Sequence, residues 1–140
     1  MTLAIDEALL GRDIYVPDDE DADLRITPSG DLGLASGRDA LRADLRRRIV
    51  TTPGELTHRP EYGAGAGLYI ETAASPSQRA QLANDIRRNC LRDSRLKDCK
   101  ASVSEGVPFV ETSYPYTVTV ELEIELAQSG QDQMTVSISE

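Results

Sequence analysis

Residues 116–126 constrain the fold most, because apolar and polar side chains alternate there over eleven residues without a break. The apolar set is Tyr116, Val118, Val120, Leu122, Ile124 and Leu126. Threonine and glutamate fill the alternate positions, including Glu123 and Glu125. A two-residue period predicts a strand with one buried and one solvated face. Ser129 and Gly130 then predict a turn, and Met134, Val136 and Ile138 predict a returning strand.

This strand is long for the size of the chain. At ~3.3 Å per residue it extends ~36 Å, whereas a domain of this size has a radius of gyration of ~14 Å. One interpretation is that the hairpin tip projects and its edge pairs with another chain. The other is a long twisted hairpin that its row of glutamates protects. The residues leave both open.

Two helices are predicted before this hairpin. Ser36, with Asp39 three residues on, predicts a helix cap, and Leu41, Leu45 and Ile49 predict one buried stripe. Ser75, Pro76 and Gln78 predict a second helix with a capping box, ending near residue 93. Its predicted buried face comprises Leu82, Ala83, Ile86 and Cys90.

Shorter elements complete the prediction. Residues 24–34 predict a small hairpin around a turn at 27–30, and residues 13–16, 68–70 and 101–104 predict short extended pieces. Residues 1–11 fit either a helical turn or an arm that packs on a partner. The sequence thus predicts one α+β domain over residues 1–140, with two helices packed on a mostly antiparallel sheet. Residues 1–23 would form an N-terminal arm and acidic loop.

Charge is distributed unevenly. The net charge is −9, yet residues 36–100 hold 13 of the 15 basic residues and only 8 of the 24 acidic ones. Such a balance argues against bulk nucleic-acid binding and suits docking between oppositely charged protein surfaces. No apolar run approaches the ~20 residues that a membrane span needs. Cys90 and Cys99 lack metal-site spacing and are expected to be inert thiols.

The acidic residues 18–23 invite comparison with a calcium loop, since Asp19, Asp21 and Asp23 alternate. However, Leu24 and Gly30 stand where the loop needs its glycine and its bidentate glutamate. A solvated acidic loop is the better interpretation. We predict no metal site and no cofactor.

A stiff polar loop at residues 53–67 separates the helices. It contains two prolines and four glycines together with Glu55, His58, Arg59 and Glu61. Such a loop is suited to fixing its neighbours or to meeting a partner.

The order of these features over residues 24–138 resembles the phage baseplate protein W family. A helix is followed by Thr-Pro-Gly-Glu (residues 52–55), Arg-Pro-Glu-Tyr-Gly (residues 59–63), a second helix and paired strands. Members of that family are sheath-initiator wedge subunits of contractile tails, related to a small baseplate subunit of type VI secretion. The family's second helix ends in Glu-Pro-Arg, which helps hold the wedge together. Here Asp93-Ser94-Arg95 stands in that place, without the proline.

The resemblance implies a structural, non-enzymatic subunit of a virion tail baseplate, assembled in the host cytoplasm. Its partners would be the tail sheath subunit, other wedge proteins and the nearby hub or tube, in about six copies by symmetry. It implies that the wedge is bound by the following residues: Glu55, Arg59, Pro60, Glu61, Tyr62, Gly63, Asp93 and Arg95. Asp93 and Arg95 could alternatively be an ordinary helix end. A charge reversal at Arg95 is expected to impair assembly with little loss of stability.

The resemblance also implies that C-terminal strands join the first sheath ring by strand addition. The residues assigned to that contact are Val120, Leu122, Glu123, Ile124, Glu125, Met134 and Val136. Main-chain hydrogen bonds would supply affinity, and alternate side chains would set register.

The residues can be compared with two other functions. A lysozyme-like glycoside hydrolase would need two facing carboxylates, for which Glu55 and Glu61 are the candidates. With no tryptophan and one phenylalanine, nothing indicates a sugar-binding cleft. The only histidine, His58, is expected to hydrogen-bond within its loop, because no serine or cysteine has an activating context. A generic oligomeric adaptor is the third possibility, and it predicts stable self-association.

Overall fold

The computed structural model describes residues 8–16, 23–69, 75–105, 118–127 and 130–138, with the backbone alone for Glu105 and residues 130–138. The sequence-based predictions for residues 1–7, 17–22, 70, 116–117 and 129 lie outside these ranges. The chain divides into two compact units, Met1–Leu45 and Arg46–Glu140. The expectation of a single domain over the whole chain stays a prediction.

The first unit contains a short antiparallel pair, β1 (Arg12–Ile14) and β2 (Leu34–Ser36). The predicted hairpin over residues 24–34 is confirmed, since Ile26 lies opposite Leu32 across a turn. That turn is closed by the Gly30 amide, which donates to the Thr27 carbonyl at 2.9 Å. Residues 8–10 are helical, as one of the two interpretations of the N-terminus had it.

Helix α1 spans Arg38–Val50, and its predicted stripe of Leu41, Leu45 and Ile49 is fully buried. The predicted cap at Ser36 is wrong. Ser36 ends β2, and the Gly37 carbonyl accepts the first helical bond from the Leu41 amide at 3.1 Å. Gly37 has a φ of 60°, a conformation that glycine adopts without strain. It thereby turns the strand into the helix.

Helix α2 spans Pro76–Cys90 and begins with the predicted capping box. The Ser75 hydroxyl accepts from the Gln78 amide at 3.3 Å, and the Gln78 side chain accepts from the Ser75 amide at 2.8 Å. Leu82, Ile86 and Cys90 are buried and Ala83 is half-buried, as expected. The helix ends before the predicted residue 93. Amides of the next residues bond carbonyls three positions back, which tightens the chain into a turn.

A three-stranded antiparallel sheet follows, in the order β3 (Leu96–Glu105), β4 (Val118–Leu126) and β5 (Gly130–Ile138). The predicted alternation of β4 is confirmed: all its described apolar residues are buried, and Glu121 and Glu123 are exposed. Strand β3 begins five residues before the predicted 101–104 strand. The predicted α+β class, with a C-terminal strand pair, is confirmed.

The apolar face of β4 is buried at both ends of the strand, at Val118 and at Leu126. Strand β3 pairs with it from Leu126 to Val118, so a third strand supports the hairpin along this whole length. The described part of β4 therefore does not project as a bare ribbon.

Two smaller predictions have different outcomes. Residues 68–70 were expected to be extended, but Ala66–Tyr69 form a 3-10 helix. The Leu68 amide donates to the Gly65 carbonyl at 3.1 Å, which closes this turn.

Cys90 and Cys99 are buried free thiols, as expected. A hydrogen bond with Cys99, together with burial, raises the pKa of the Cys90 thiol. In the described residues no helix is long and apolar enough to cross a membrane.

Candidate partner-binding surfaces

The loop after α1 is held by its own backbone. The Gly54 amide donates to the Pro60 carbonyl at 2.8 Å and closes the loop at its base. The Glu55 carboxylate accepts from the Thr52 amide at 3.1 Å. Tight turns continue at the Arg59 and Tyr62 amides. The loop is therefore a chain of hydrogen-bonded turns with a defined shape.

Arg48 of α1 fixes this loop to both helices. Its guanidinium carbon lies 4.7 Å from the centre of the Tyr62 ring, a cation–π contact. Its Nη1 donates to the Asn89 carbonyl at the end of α2, at 3.2 Å. Its own carbonyl accepts from the Ala64 amide at 3.0 Å. One residue thus joins α1, the loop and α2.

Gly63 lets the chain pass close to the end of α1. It has a φ of 106°, and a Cβ at this position would overlap the Thr51 carbonyl oxygen. The next residues stay in contact, since the Gly65 amide donates to that same oxygen at 3.0 Å. A side chain here would separate two backbone segments that the fold brings together.

The loop residues predicted to bind the wedge divide into two groups. Glu55, Arg59, Pro60 and Glu61 are exposed. Tyr62 is half-buried beneath Arg48 and Gly63 is buried, so these two support the loop from inside. The exposed loop residues of the predicted set therefore lie within segment 55–61.

Asp93 and Arg95 bind each other. Arg95 Nε donates to Asp93 Oδ1 at 2.9 Å, and Arg95 Nη2 donates to Asp93 Oδ2 at 2.6 Å. The Asp93 side chain is 8% exposed and that of Arg95 is 23% exposed. Burial would raise the pKa of Asp93, but the hydrogen bonds and charge of Arg95, with the charge of Arg48, outweigh it and lower the pKa. The pair shapes the turn after α2 whether or not a partner also contacts it.

Two further contacts bring this turn to the loop and to the sheet. Arg92 Nη1 donates to the Glu61 carbonyl at 3.0 Å. The Ala127 amide, just after β4, donates to the Arg95 carbonyl at 3.0 Å. The structure thus brings both parts of the predicted wedge-binding set together, next to the C-terminal hairpin.

The residues assigned to strand addition lie on two different strands. Those of β4 have backbones paired with β3 on one side and β5 on the other. Met134 and Val136 lie on β5, opposite Leu122 and Val120. Strand β5 is the last strand of the sheet, and no described strand pairs with its outer edge. Strand β3 ends the other side of the sheet and likewise has no described strand on its outer edge. Of the residues assigned to strand addition, only Met134 and Val136 therefore lie on a terminal strand, β5.

The solvated face of the sheet carries ion pairs. Lys97 Nζ lies 2.8 Å from Glu125 Oε1, and this carboxylate raises the pKa of Lys97. Lys100 Nζ lies 3.9 Å from Glu123 Oε2. Exposed pairs of this kind contribute little to stability. Glu123 and Glu125 therefore set the charge of this face rather than its folding.

Sequence reasoning missed the roles of Arg48 and Arg92. Arg48 sits in a run of three arginines that reads as a solvated face. Its spacing carried a signal, because position 48 follows Leu41 by two helical turns and so lies beside the buried stripe. Arg92 gives no such signal, since its bond to the Glu61 carbonyl depends on how the loop packs.

No family model matches this sequence, and no curated protein matches it either. Solved structures do resemble it. A chain of the anti-feeding prophage baseplate, solved by cryo-electron microscopy with sixfold symmetry, is 25% identical, with a TM-score of 0.57 over 87% of this chain and 88% of that one. A chain of the type VI secretion baseplate complex is 17% identical, with a TM-score of 0.56 over 71% and 90%. This protein therefore has a baseplate-type fold.

A third similar structure is a putative tail lysozyme from Geobacter sulfurreducens, 13% identical, with a TM-score of 0.56 over 78% of this chain and 96% of that one. At that identity the likeness shows the fold alone. Glu55 and Glu61 are both exposed, so they lack the burial that a general acid needs. The expected hydrogen bond of His58 within its loop is not found among the described residues, where this side chain is exposed. In the same residues no three potential metal ligands cluster.

Gly63→Ala should destabilise the protein more than Gly54→Ala. Both glycines have positive φ, so alanine costs about 1–2 kcal/mol at either site. Only at Gly63 does the added Cβ meet backbone, which adds roughly 1–3 kcal/mol. Urea unfolding of the two variants measures the difference. Equal losses would mean that the Thr51 carbonyl moves aside freely.

Asp93→Asn should lower the free energy of unfolding by about 2–3 kcal/mol at pH 7, because it removes charge-assisted hydrogen bonds from a buried position. The folded-state pKa of Asp93 is lowered, so this stability is present above about pH 4 and is lost as pH falls through the folded-state pKa. Urea unfolding should therefore show a smaller difference in free energy of unfolding between wild type and Asp93→Asn at pH 3 than at pH 7.

Glu123→Gln is the matched control and should change stability by less than about 0.5 kcal/mol. If the difference in free energy of unfolding between wild type and Asp93→Asn is equal at both pH values, the Asp93 carboxylate does not provide this stability.

Because Arg95 balances a buried carboxylate, we also expect a charge reversal at Arg95 to lower the free energy of unfolding, contrary to the expectation from the sequence.

Proposed function

We propose that this protein is a structural baseplate subunit of a contractile phage tail or a related injection system. The baseplate-type fold supports this, since the chain of the anti-feeding prophage baseplate matches over most of both chains. In this role the protein turns over no substrate. It holds wedge partners together and offers a starting edge for the sheath.

The wedge contact proposed is the exposed loop segment 55–61 with the adjoining turn at Asp93 and Arg95. The two are held side by side by the bond from Arg92 to the Glu61 carbonyl. Their side chains mix both signs of charge on a fixed backbone, which suits recognition between protein surfaces. Tyr62 and Gly63 act by shaping this surface.

The sheath contact proposed is strand addition at the outer edge of β5. The observation that supports β5 is that it is a terminal strand of the sheet and carries Met134 and Val136, whereas β3, the other terminal strand, carries none of the residues assigned to this contact. A free edge presents unpaired amides and carbonyls that an incoming strand can complete. The register of β5 against β4 runs without a shift from Gly130 to Ile138, so the edge is regular.

Single proline substitutions along residues 132–136 test this contact. In an antiparallel pair, successive residues point their N–H groups alternately toward the neighbouring strand and away from it. Proline at inward positions should cost at least about 1 kcal/mol, because a bond to β4 is lost. Proline at outward positions should leave the fold intact.

Particles assembled with each variant give the readout. Outward proline variants should enter the baseplate, scored by mass spectrometry, and fail to nucleate sheath, scored by electron microscopy. Alanine at the same positions is the control and should nucleate normally. Full-length sheath on every folded proline variant would rule out addition at this edge.

The isolated protein separates this proposal from a generic oligomeric adaptor. A sheath initiator should remain largely monomeric until wedges assemble, because its contacts are with other proteins. Sedimentation velocity of the full chain measures this directly. A closed ring formed by the protein alone would favour the adaptor.

A further inference from the structure

The first compact unit carries an apolar patch on its surface. Its members are Ile14, Val16, Leu24, Ile26, Leu32 and Leu34, which are 37–60% exposed. Single exposed aliphatic residues are ordinary, but a contiguous group marks an interaction site.

Strand register makes these residues neighbours. Ile14 lies opposite Leu34 in the β1–β2 pair, and Ile26 lies opposite Leu32 across the hairpin. Residues directly opposite one another share a face of the sheet. Gly33 links the two pairs, since its carbonyl accepts from the Tyr15 amide at 2.8 Å and its amide donates to the Arg25 carbonyl at 2.7 Å.

The burial pattern of this unit is inverted. In β2 the buried residue is the small Ala35, whereas the larger Leu34 points outward at 57% exposed. Opposite them in β1, Asp13 is half-buried and Ile14 is exposed. A two-stranded sheet that served only to fold would bury its larger aliphatic residues. Apolar side chains therefore occupy exposed positions at which polar side chains would not reduce the stability of the fold.

The charge of the same unit limits what can cover the patch. Asp23 and Asp31 are exposed beside the patch residues Leu24 and Leu32. Arg25, next to Leu24, is drawn away onto the Tyr15 ring, 4.5 Å from its centre. The two carboxylates of Asp23 and Asp31 are therefore the charges that the structure shows directly beside these patch residues.

We propose that this patch docks a segment of a different protein whose apolar side chains alternate with lysine or arginine. Apolar contact with the six patch residues would provide affinity, and the carboxylates of Asp23 and Asp31 would select for the basic side chains. A second copy of this protein is a poorer occupant, because pairing patch to patch would bring the exposed carboxylates of Asp23 and Asp31 from both copies together. The inference is independent of strand addition at β5.

Three synthetic nonapeptides test the full-length protein: alternating lysine and leucine, alternating lysine and serine, and alternating glutamate and leucine. We expect the lysine–leucine peptide to bind roughly tenfold more tightly than either of the others, measured by fluorescence anisotropy. Amide shifts in NMR should cluster around the six patch residues.

The double variant Ile26→Ser with Leu34→Ser keeps the net charge and removes two exposed aliphatic residues. It should bind the lysine–leucine peptide no better than the lysine–serine one. Leu68→Ser is the matched control, since Leu68 is 63% exposed and lies in the other unit. It should bind as wild type does, and circular dichroism checks that all variants fold.

Five results would overturn the proposal. Equal binding of the two lysine peptides would mean that charge alone acts, and equal binding of the two leucine peptides would remove the acidic selection. Binding that survives the double variant would place the contact elsewhere. Self-association that the double variant abolishes would assign the patch to a second copy, and peptide binding seen only after removal of residues 1–7 would assign it to the chain's own N-terminus.

Discussion

The arrangement of the second unit depends on one half-buried cation, Arg48. Its guanidinium lies over Tyr62 and bonds the carbonyl of Asn89, where the negative end of the α2 dipole favours a positive charge. Nε of Arg48 is buried without a hydrogen-bond partner in the described residues, which is unfavourable. The ring contact, of about 1–2 kcal/mol, and the bond to α2 offset that burial. The loop between the helices is consequently a fixed surface.

Features set by a few neighbouring residues could be predicted from the sequence. The capping box at Ser75 needs only the order Ser-Pro-x-Gln, and the buried face of β4 needs only its two-residue period. Features set by distant contacts could not. The end of α2 at Cys90 and the position of Gly37 before α1 depend on how the next element packs.

The candidate site shows the same division. The sequence places Glu61, Tyr62 and Gly63 in one motif, and only the structure separates the exposed Glu61 from its two inward neighbours. The sequence shows Asp93 and Arg95 as two opposite charges, but only the structure shows that their side chains bond to each other. The terminal strands of the sheet likewise could not be identified from alternation alone, because the clearest alternating strand is the central one.

The full burial of the inner face of β4 has a consequence for any chain that extends this sheet. Ordering a residue in an extended backbone costs about 1–2 kcal/mol of entropy. Here β4 is immobilised by its packing, and β5 is held to it along nine paired positions. The β4–β5 pair is thus ordered before another chain binds to the sheet. The incoming segment alone would lose conformational freedom, so modest gains per residue suffice to retain it.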